Sequence, residues 1–298
     1  MVMNMKKCNL CPRNCGVDRS IKNGICNSSH KIKVARASLH MWEEPCISGN
    51  NGSGTVFFSG CNLHCVYCQN RNISDGTTGK EITIERLVRI FFELKDKGAA
   101  NINLVTGDHY IPQIAKALLN AKNSGLDIPV ILNTSSYINV DALKLLDGLV
   151  DVYLPDFKYF DEAIAKKYSF AEDYPQTAMA AIKHMYTVCG KPEFNNDGYI
   201  TKGVIVRHLV LPNNILNSKK VIKYLADTYG KDIYISIMSQ YTPCTYLSAY
   251  PEINRKITQK EYQKVVDFAL ELGLFNAFVQ EGECAQESFI PPFDLSGV

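Results

Sequence analysis

The strongest constraint on the fold of this chain is an alternation. Apolar, β-branched or aromatic runs occur at "TVFFS" (55–59), "INLVT" (102–106), "PVILN" (129–133), "VDVYLP" (150–155), "GVIVRHLVL" (203–211) and "IYISIM" (233–238). Between and after them lie amphipathic stretches such as "TIERLVRIFFELKDKG", "SKKVIKYLADTYG" and "TQKEYQKVVDFALELG". Several open on Thr, Ser or Asp and stop at glycine, as helix caps require. Strictly alternating strands and helices imply a parallel sheet with right-handed crossovers, covered on both faces. A run such as "VIVRHLVL" is indeed too uniformly apolar for a half-exposed strand. The expected fold class is α/β, a partial (β/α)6 TIM-like barrel with parallel strands, although a doubly wound open sheet fits the same order. Both place chemistry at the carboxyl ends of the strands.

Residues 1–48 do not share this pattern and read as a small N-terminal cysteine-rich metal-binding segment. The partial barrel then runs over 49–280, and 281–298 is a C-terminal closing tail. With 298 residues and 46% hydrophobic content there is ample material for a large core. A net charge of +2, with dispersed lysines and arginines, gives no electrostatic case for nucleic acid or for an anionic membrane. The beginning, "MVMNMKKCNLCPRN", has no apolar stretch of signal-peptide length, and nowhere do about eighteen apolar residues run together. A cytoplasmic protein is expected. The cytosol keeps thiols reduced, so 11 cysteines point to metal rather than to a disulfide framework.

Cys61, Cys65 and Cys68 form C-x3-C-x2-C on the loop leaving the first run, with Gly60 just before to permit a tight turn. A structural zinc site closes its tetrahedron with four protein ligands, and His64 or a distant cysteine can complete one. A catalytic dithiol needs two cysteines, not three. A [4Fe-4S] cluster on three thiolates leaves one iron free for a small molecule.

The spacing, with Tyr67 before the last cysteine, resembles the C-x3-C-x-aromatic-C signature of the radical S-adenosylmethionine (radical SAM) superfamily. The resemblance implies a [4Fe-4S] cluster whose open iron binds the methionine moiety of S-adenosyl-L-methionine. It also implies one-electron cleavage to a 5'-deoxyadenosyl radical, which abstracts hydrogen. Family members carry a Gly-Gly-Glu-like turn after the second strand, to accept from the methionine ammonium group. Here that turn is "TGDH", and Thr106, Gly107 and Asp108 become cofactor candidates. Asn133 and Ser135 end the third strand within reach of the same cofactor. "LPDFK" resembles the D-x-K element of glycyl-radical-enzyme activases, which carries over Asp156 near the methionine carboxylate and Lys158 near cofactor or substrate. Arg207 and His208 interrupt an apolar strand, where charge is costly unless paired. One of them is expected to face the barrel interior, an internal salt bridge being the alternative. Lys158, Arg207 and His208 are the catalytic candidates, and Gln240 is a candidate for the adenine-side wall. Glu281, Glu283 and Cys284 lie where the tail can reach a substrate.

At the start, Cys8, Cys11, Cys15 and Cys26 sit in a segment without its own core, which suggests metal-dependent folding. Zinc and a second [4Fe-4S] cluster both accept four cysteines. Cys46, in "EEPCISG", suits a ligand, a pocket thiol or a buried side chain. Together these segments resemble the pyruvate formate-lyase activating enzyme-related branch of the superfamily. The expected function is SAM cleavage for hydrogen abstraction, with activation of a glycyl radical enzyme or modification of a peptide or small molecule as rival outcomes. The expected partners are a low-potential flavodoxin- or ferredoxin-like electron donor and a glycyl radical enzyme or peptide. A non-catalytic iron–sulfur relay protein and a zinc-stapled scaffold are the alternatives from other classes.

Overall fold

A computed structural model describes residues 7–244, 247–279 and 291–298. Its strands are β1 (Ile32–His40), β2 (Ser53–Phe58), β3 (Lys80–Ile82), β4 (Ile102–Val105), β5 (Val130–Thr134), β6 (Val152–Pro155), β7 (Glu193–Phe194), β8 (Ile200–Leu209), β9 (Tyr234–Met238) and β10 (Ala277–Val279). The helices that follow them are α1 (Pro45–Ser48), α2 (Arg71–Ser74), α3 (Ile84–Asp96), α4 (Ile111–Asn123), α5 (Val140–Leu143), α6 (Glu162–Ser169), α7 (Tyr174–Cys189), α8 (Ile215–Tyr229) and α9 (Gln259–Glu271). The sheet order is β10-β9-β8-β6-β5-β4-β2-β1-β3, with β7 paired to β8. From β2 through β10 the neighbours on this path are parallel. All six runs expected from the sequence are strands of this parallel part. The two ends of the sheet do not pair among the described residues, so the architecture is an open, partial TIM-like barrel.

Successive side chains on a strand point to opposite faces. One face carries Val56, Phe58, Leu104, Leu132, Tyr153, Val204, Val206, Ile235 and Ile237 into the main core, shared with the helices. The opposite face lines the interior of the curved sheet. Near its floor Ile131, Val152, Leu154 and Ile205 pack against Cys46 and Ile47 of α1, which plugs the chamber from below. Higher up, Phe57 and Val105 pack with Ala35 and Ile73.

Residues 32–40, expected within the cysteine-rich segment, belong to the main sheet instead. They pair with β2 in antiparallel register from Val34↔Phe58 to His40↔Ser53. Their "IKVARASLH" mixes polar and apolar side chains, and so lacks the uniform apolarity of the parallel strands. The last residues extend the free edge of β1 beyond β3. The Leu295 amide donates to the Ala35 carbonyl at 3.1 Å, and Ala37 donates to Ser296 at 2.9 Å. Glu281, Glu283 and Cys284 lie outside the described residues. Among the described residues no helix is long and apolar enough to cross a membrane.

Candidate active site

The chain leaves β2 through Gly60, whose φ of +94° belongs to the region that glycine alone enters freely. A Cβ there would lie 2.1 Å from Ser28 Oγ and 2.6 Å from the Cys26 carbonyl oxygen, so no other residue fits. The loop that follows presents Cys61, Cys65 and Cys68. Burial, and then the neighbouring Cys65 sulfur, push the Cys61 thiol up to about 12 and the Cys68 thiol up to about 11. The Cys61 and Cys68 thiols, which resist ionisation beside the Cys65 sulfur, call for a cation to hold them as thiolates. Cys61 Sγ accepts from the Leu63 amide at 3.4 Å, and Cys65 Sγ accepts from Ser169 Oγ at 3.1 Å. Tyr67 is wedged between Tyr168 and Tyr241, and its hydroxyl accepts from Tyr159 at 2.6 Å. It therefore anchors the loop to α6 and to the segment before it.

Beside this loop the next strand ends converge. Thr106 turns the chain with φ +57°, and a Cβ on Gly107 would lie 2.6 Å from Ile114 Cδ1, so a side chain there would have to displace the end of Ile114. Asp108 Oδ2 accepts from Ser135 Oγ at 3.1 Å, whereas its buried Oδ1 has no partner. Burial pushes the Asp108 carboxyl up to about 6 against the hydrogen bonds it accepts. Ser136 Oγ, next to Ser135, is likewise buried without a partner. Tyr174 joins two strand ends, donating to the carbonyls of Ser135 (3.0 Å) and Asp156 (2.8 Å) and accepting from the Lys158 amide at 2.9 Å.

Asp156, Lys158 and Arg207 meet on the interior face. Lys158 Nζ lies 2.6 Å from Asp156 Oδ2, and Arg207 Nη2 lies 2.9 Å from Asp156 Oδ1. Arg207 also donates to Asn133 Oδ1 at 2.5 Å and reaches Glu43 Oε2 at 3.4 Å. Burial works to raise the Asp156 carboxyl, but the charges of Arg207 and Lys158 hold it below its ordinary value. Burial likewise opposes the Lys158 charge, while Asp156 and Cys65 restore it and raise its pKa. Lys158 thus stands between the carboxylate and the thiol loop.

His208 is placed elsewhere than its candidate role requires. Strand alternation turns it to the helix side, where Nδ1 meets the Phe157 carbonyl at 2.7 Å and Nε2 meets Ser218 Oγ of α8 at 2.9 Å. Burial lowers its pKa to about 4, so it is a neutral tie between strand and helix. Gln240 lies at the loop's other flank, where its carbonyl accepts from Gln69 at 3.1 Å. Cys46 is buried in the floor cluster.

Several residues of the site carry no signature in sequence. Glu43 and Glu44 reach the interior from the connection between β1 and α1, Glu43 toward Arg207 and Glu44 toward Ser236. The N-terminal segment supplies two arginines that grip the site from outside. Arg13 donates to the carbonyls of Asn62 (2.9 Å), Leu63 (3.1 Å), Ser169 (2.8 Å) and Phe170, and its guanidinium lies 5.2 Å from the Tyr137 ring centroid. Fully buried Arg19 donates to the carbonyls of His109, Ser28 and Ser29. His64, a candidate zinc ligand by sequence, instead meets the Ile25 carbonyl at 2.7 Å. The same segment brings its cysteines together. The Cβ position that Gly24 lacks lies 3.3 Å from Cys26 Sγ and 3.4 Å from Cys15 Sγ. Burial, with smaller contributions from Cys26 and Cys8, pushes the Cys11 thiol up to about 11.

Among the described residues, no three His, Cys, Asp or Glu side chains already stand as a ready-made metal cage. The donor chemistry of the loop nonetheless fits a [4Fe-4S] cluster: three thiols on one tight turn at the carboxyl end of the sheet, with a lysine beside them. The unpartnered Asp108 Oδ1 and Ser136 Oγ in the adjacent strand ends fit a polar, ammonium-bearing cofactor.

Known proteins share this fold. The SuiB protein of Streptococcus suis, in a structure bound to its precursor peptide SuiA, superposes with TM-score 0.52 at 12% identity. That match covers 74% of this chain and 46% of SuiB. The FeFe-hydrogenase maturase HydG from Carboxydothermus hydrogenoformans superposes with TM-score 0.51 at 14% identity, over 77% of this chain and 54% of HydG. SuiB bound to S-adenosylmethionine gives TM-score 0.51 at 14% identity, over 74% of this chain and 45% of SuiB. This chain thus spans about half the length of these structures, which share its fold. An uncharacterized protein of Methanocaldococcus jannaschii is 30% identical over 280 residues, 90% of this chain and 76% of its own length. The family model for the radical SAM superfamily matches residues 55–200, from β2 to the start of β8. The chain belongs to the radical SAM superfamily.

Proposed function

We propose that this protein is a radical SAM enzyme that cleaves S-adenosylmethionine reductively and abstracts a hydrogen atom from a substrate held in the chamber. The observation that carries the reading is the position of Cys61, Cys65 and Cys68 at the carboxyl end of a parallel sheet, with Lys158 beside them. When bound, the cluster and S-adenosylmethionine supply the one-electron carbon–sulfur cleavage that yields a 5'-deoxyadenosyl radical. The three thiolates hold the cluster and leave one iron without a protein ligand. Asp108, through its free oxygen, and the carbonyls of the Thr106–Gly107 turn accept from the methionine ammonium group. Lys158, kept protonated by Asp156, answers the carboxylate. Arg207 orients Asp156 and Asn133, and the apolar plug under α1 keeps bulk water from the chamber floor.

The activating-enzyme role follows the D-x-K resemblance, with a glycyl radical enzyme as partner and a flavodoxin- or ferredoxin-like protein as electron donor. A peptide or small molecule is the rival substrate. Cys8, Cys11, Cys15 and Cys26 are read as a second metal site, for zinc or an auxiliary cluster. The approach of Cys15 and Cys26 around Gly24 supports that reading. The test is anaerobic: reconstituted, reduced protein given S-adenosylmethionine should form 5'-deoxyadenosine above a Cys61→Ala control. Equal formation by the two proteins would end the proposal. A glycine-centred doublet in electron paramagnetic resonance, on co-incubation with a candidate partner, separates activation from modification of another substrate.

A further inference from the structure

Ahead of β1 the chain has neither helix nor strand from residue 7 to residue 31. It buries Leu10 but leaves Ile21 and Ile25 exposed, so apolar burial contributes little to ordering it. Backbone hydrogen bonds fold it around its thiols instead. Cys8 donates to the Val17 carbonyl and accepts from the Gly16 amide, both at 3.0 Å, which sets it beside Cys15. The Gly24 amide donates to the Ser28 carbonyl at 3.1 Å across Cys26, and the missing Gly24 side chain keeps the space next to the Cys15 and Cys26 sulfurs clear. Two arginines lie between these cysteines. Fully buried Arg19 and half-buried Arg13 donate only to carbonyl oxygens among the described residues. A buried guanidinium is costly without a counter-charge. Four thiolates around a divalent ion or an iron–sulfur core supply one, because such a centre as a whole is an anion. Burial raises the Cys26 thiol, and Arg19 is close enough to oppose it by favouring the thiolate.

Every stretch between successive cysteines also grips the rest of the protein. Between Cys8 and Cys11, the carbonyls of Asn9 and Leu10 accept from Asn139, at 2.7 and 3.1 Å. Between Cys11 and Cys15, Arg13 holds the carbonyls of Asn62 and Leu63. Between Cys15 and Cys26, Arg19 holds the His109 carbonyl, and the Ile25 carbonyl meets His64 at 2.7 Å. Asn62, Leu63 and His64 are the residues that separate Cys61 from Cys65. The two groups of cysteines are thus tied together by bonds that last only while the irregular segment is ordered.

We infer that Cys8, Cys11, Cys15 and Cys26 hold a metal centre that latches the loop from Cys61 to Cys65, so that its occupancy governs how firmly that loop retains its [4Fe-4S] cluster. The inference rests on the reading of these four cysteines as a metal site and adds its regulatory role. Linkage makes the effect reciprocal, each occupied site strengthening the other by the same factor. For the test, full-length proteins are reconstituted anaerobically with ferrous iron, sulfide and zinc. A Cys61→Ala, Cys65→Ala, Cys68→Ala triple variant reports the N-terminal site alone, and should retain zinc, or iron with sulfide, after desalting. A metal-free triple variant would end the metal reading and the latch with it. Challenged with the iron chelator ferrozine, Cys11→Ser should lose the cluster signal that the triple variant lacks at least tenfold faster than wild type. Hydrogen exchange across residues 61–68 should accelerate in the same variant. His64→Ala, which changes no cysteine, should lose that signal severalfold faster while keeping the N-terminal metal, and it carries the test should Cys11→Ser fail to fold. Metal retained by the triple variant, together with unchanged cluster loss in the folded variants, would overturn the latch and leave the metal reading standing. None of these readouts requires turnover.

Discussion

Asp108 offers a quantitative handle on the site, because its burial leaves a signature in the pH dependence of stability. Its carboxyl is raised from an ordinary 3.8 to about 6, chiefly by burial. A group whose folded pKa lies above its unfolded value contributes stability that is complete below the unfolded pKa and lost as pH rises through the folded one. Between these two values the folded state holds a proton that the unfolded chain has released. The slope there is about −1.4 kcal/mol per pH unit, for a total near 3 kcal/mol. Between pH 5 and pH 7.5, the window that spares an acid-labile cluster, the loss is about 1.4 kcal/mol. Asp108→Asn removes the titration while keeping an oxygen for Ser135 Oγ. The stability of the variant relative to wild type should therefore climb by about 1.4 kcal/mol across that window, whatever its offset at either end. Urea unfolding at the two pH values, followed by circular dichroism, measures the difference directly. The same variant should bind S-adenosylmethionine at least tenfold more weakly, having lost the charge that faces its ammonium group. Parallel stability profiles for the two proteins would refute the assignment of Asp108 as a buried carboxylate held ready for a cationic partner.

Arg13→Ala should loosen the thiol loop, since one guanidinium holds carbonyls on both sides of it. A loss of about 3 kcal/mol and faster release of iron from the reconstituted protein are expected, with partial recovery in Arg13→Lys. His208→Ala should cost about 1–3 kcal/mol through its two lost hydrogen bonds and leave affinity for S-adenosylmethionine unchanged. Because the folded pKa of His208 is depressed to about 4, its contribution is present above the unfolded value of 6.5 and is lost as pH falls toward 4. The variant should therefore show a shallower acid limb.

The parallel strands were legible because each is buried on both faces, which forces an unbroken apolar run bounded by helix caps. The thiol loop was legible because its spacing is local. β1 was not, since an antiparallel strand near a sheet end carries mixed side chains and gives no such run. Arg207 and His208 illustrate a subtler limit. Alternation requires that one point inward and one outward, but the choice is set by register with Asp156 and by the Ser218 hydroxyl of α8, both distant in sequence. Glu43 and Glu44 precede a proline in a loop and look like solvated residues. Only the fold brings them under the strand ends, where burial raises both carboxyls. Arg13 and Arg19 had no signal at all, because backbone carbonyls leave no imprint on the sequence that supplies them.

The central claim is that Cys61, Cys65 and Cys68 leave one corner of a [4Fe-4S] cluster open for S-adenosylmethionine. Electron paramagnetic resonance of the anaerobically reduced protein, before and after addition of S-adenosylmethionine, tests it most directly. The expected result is a clear change in the g-values and line shape of the wild-type cluster signal, and no cluster signal from this site in a Cys65→Ala variant. A wild-type spectrum untouched by saturating S-adenosylmethionine would mean that the fourth iron already has a permanent ligand, and would contradict the account.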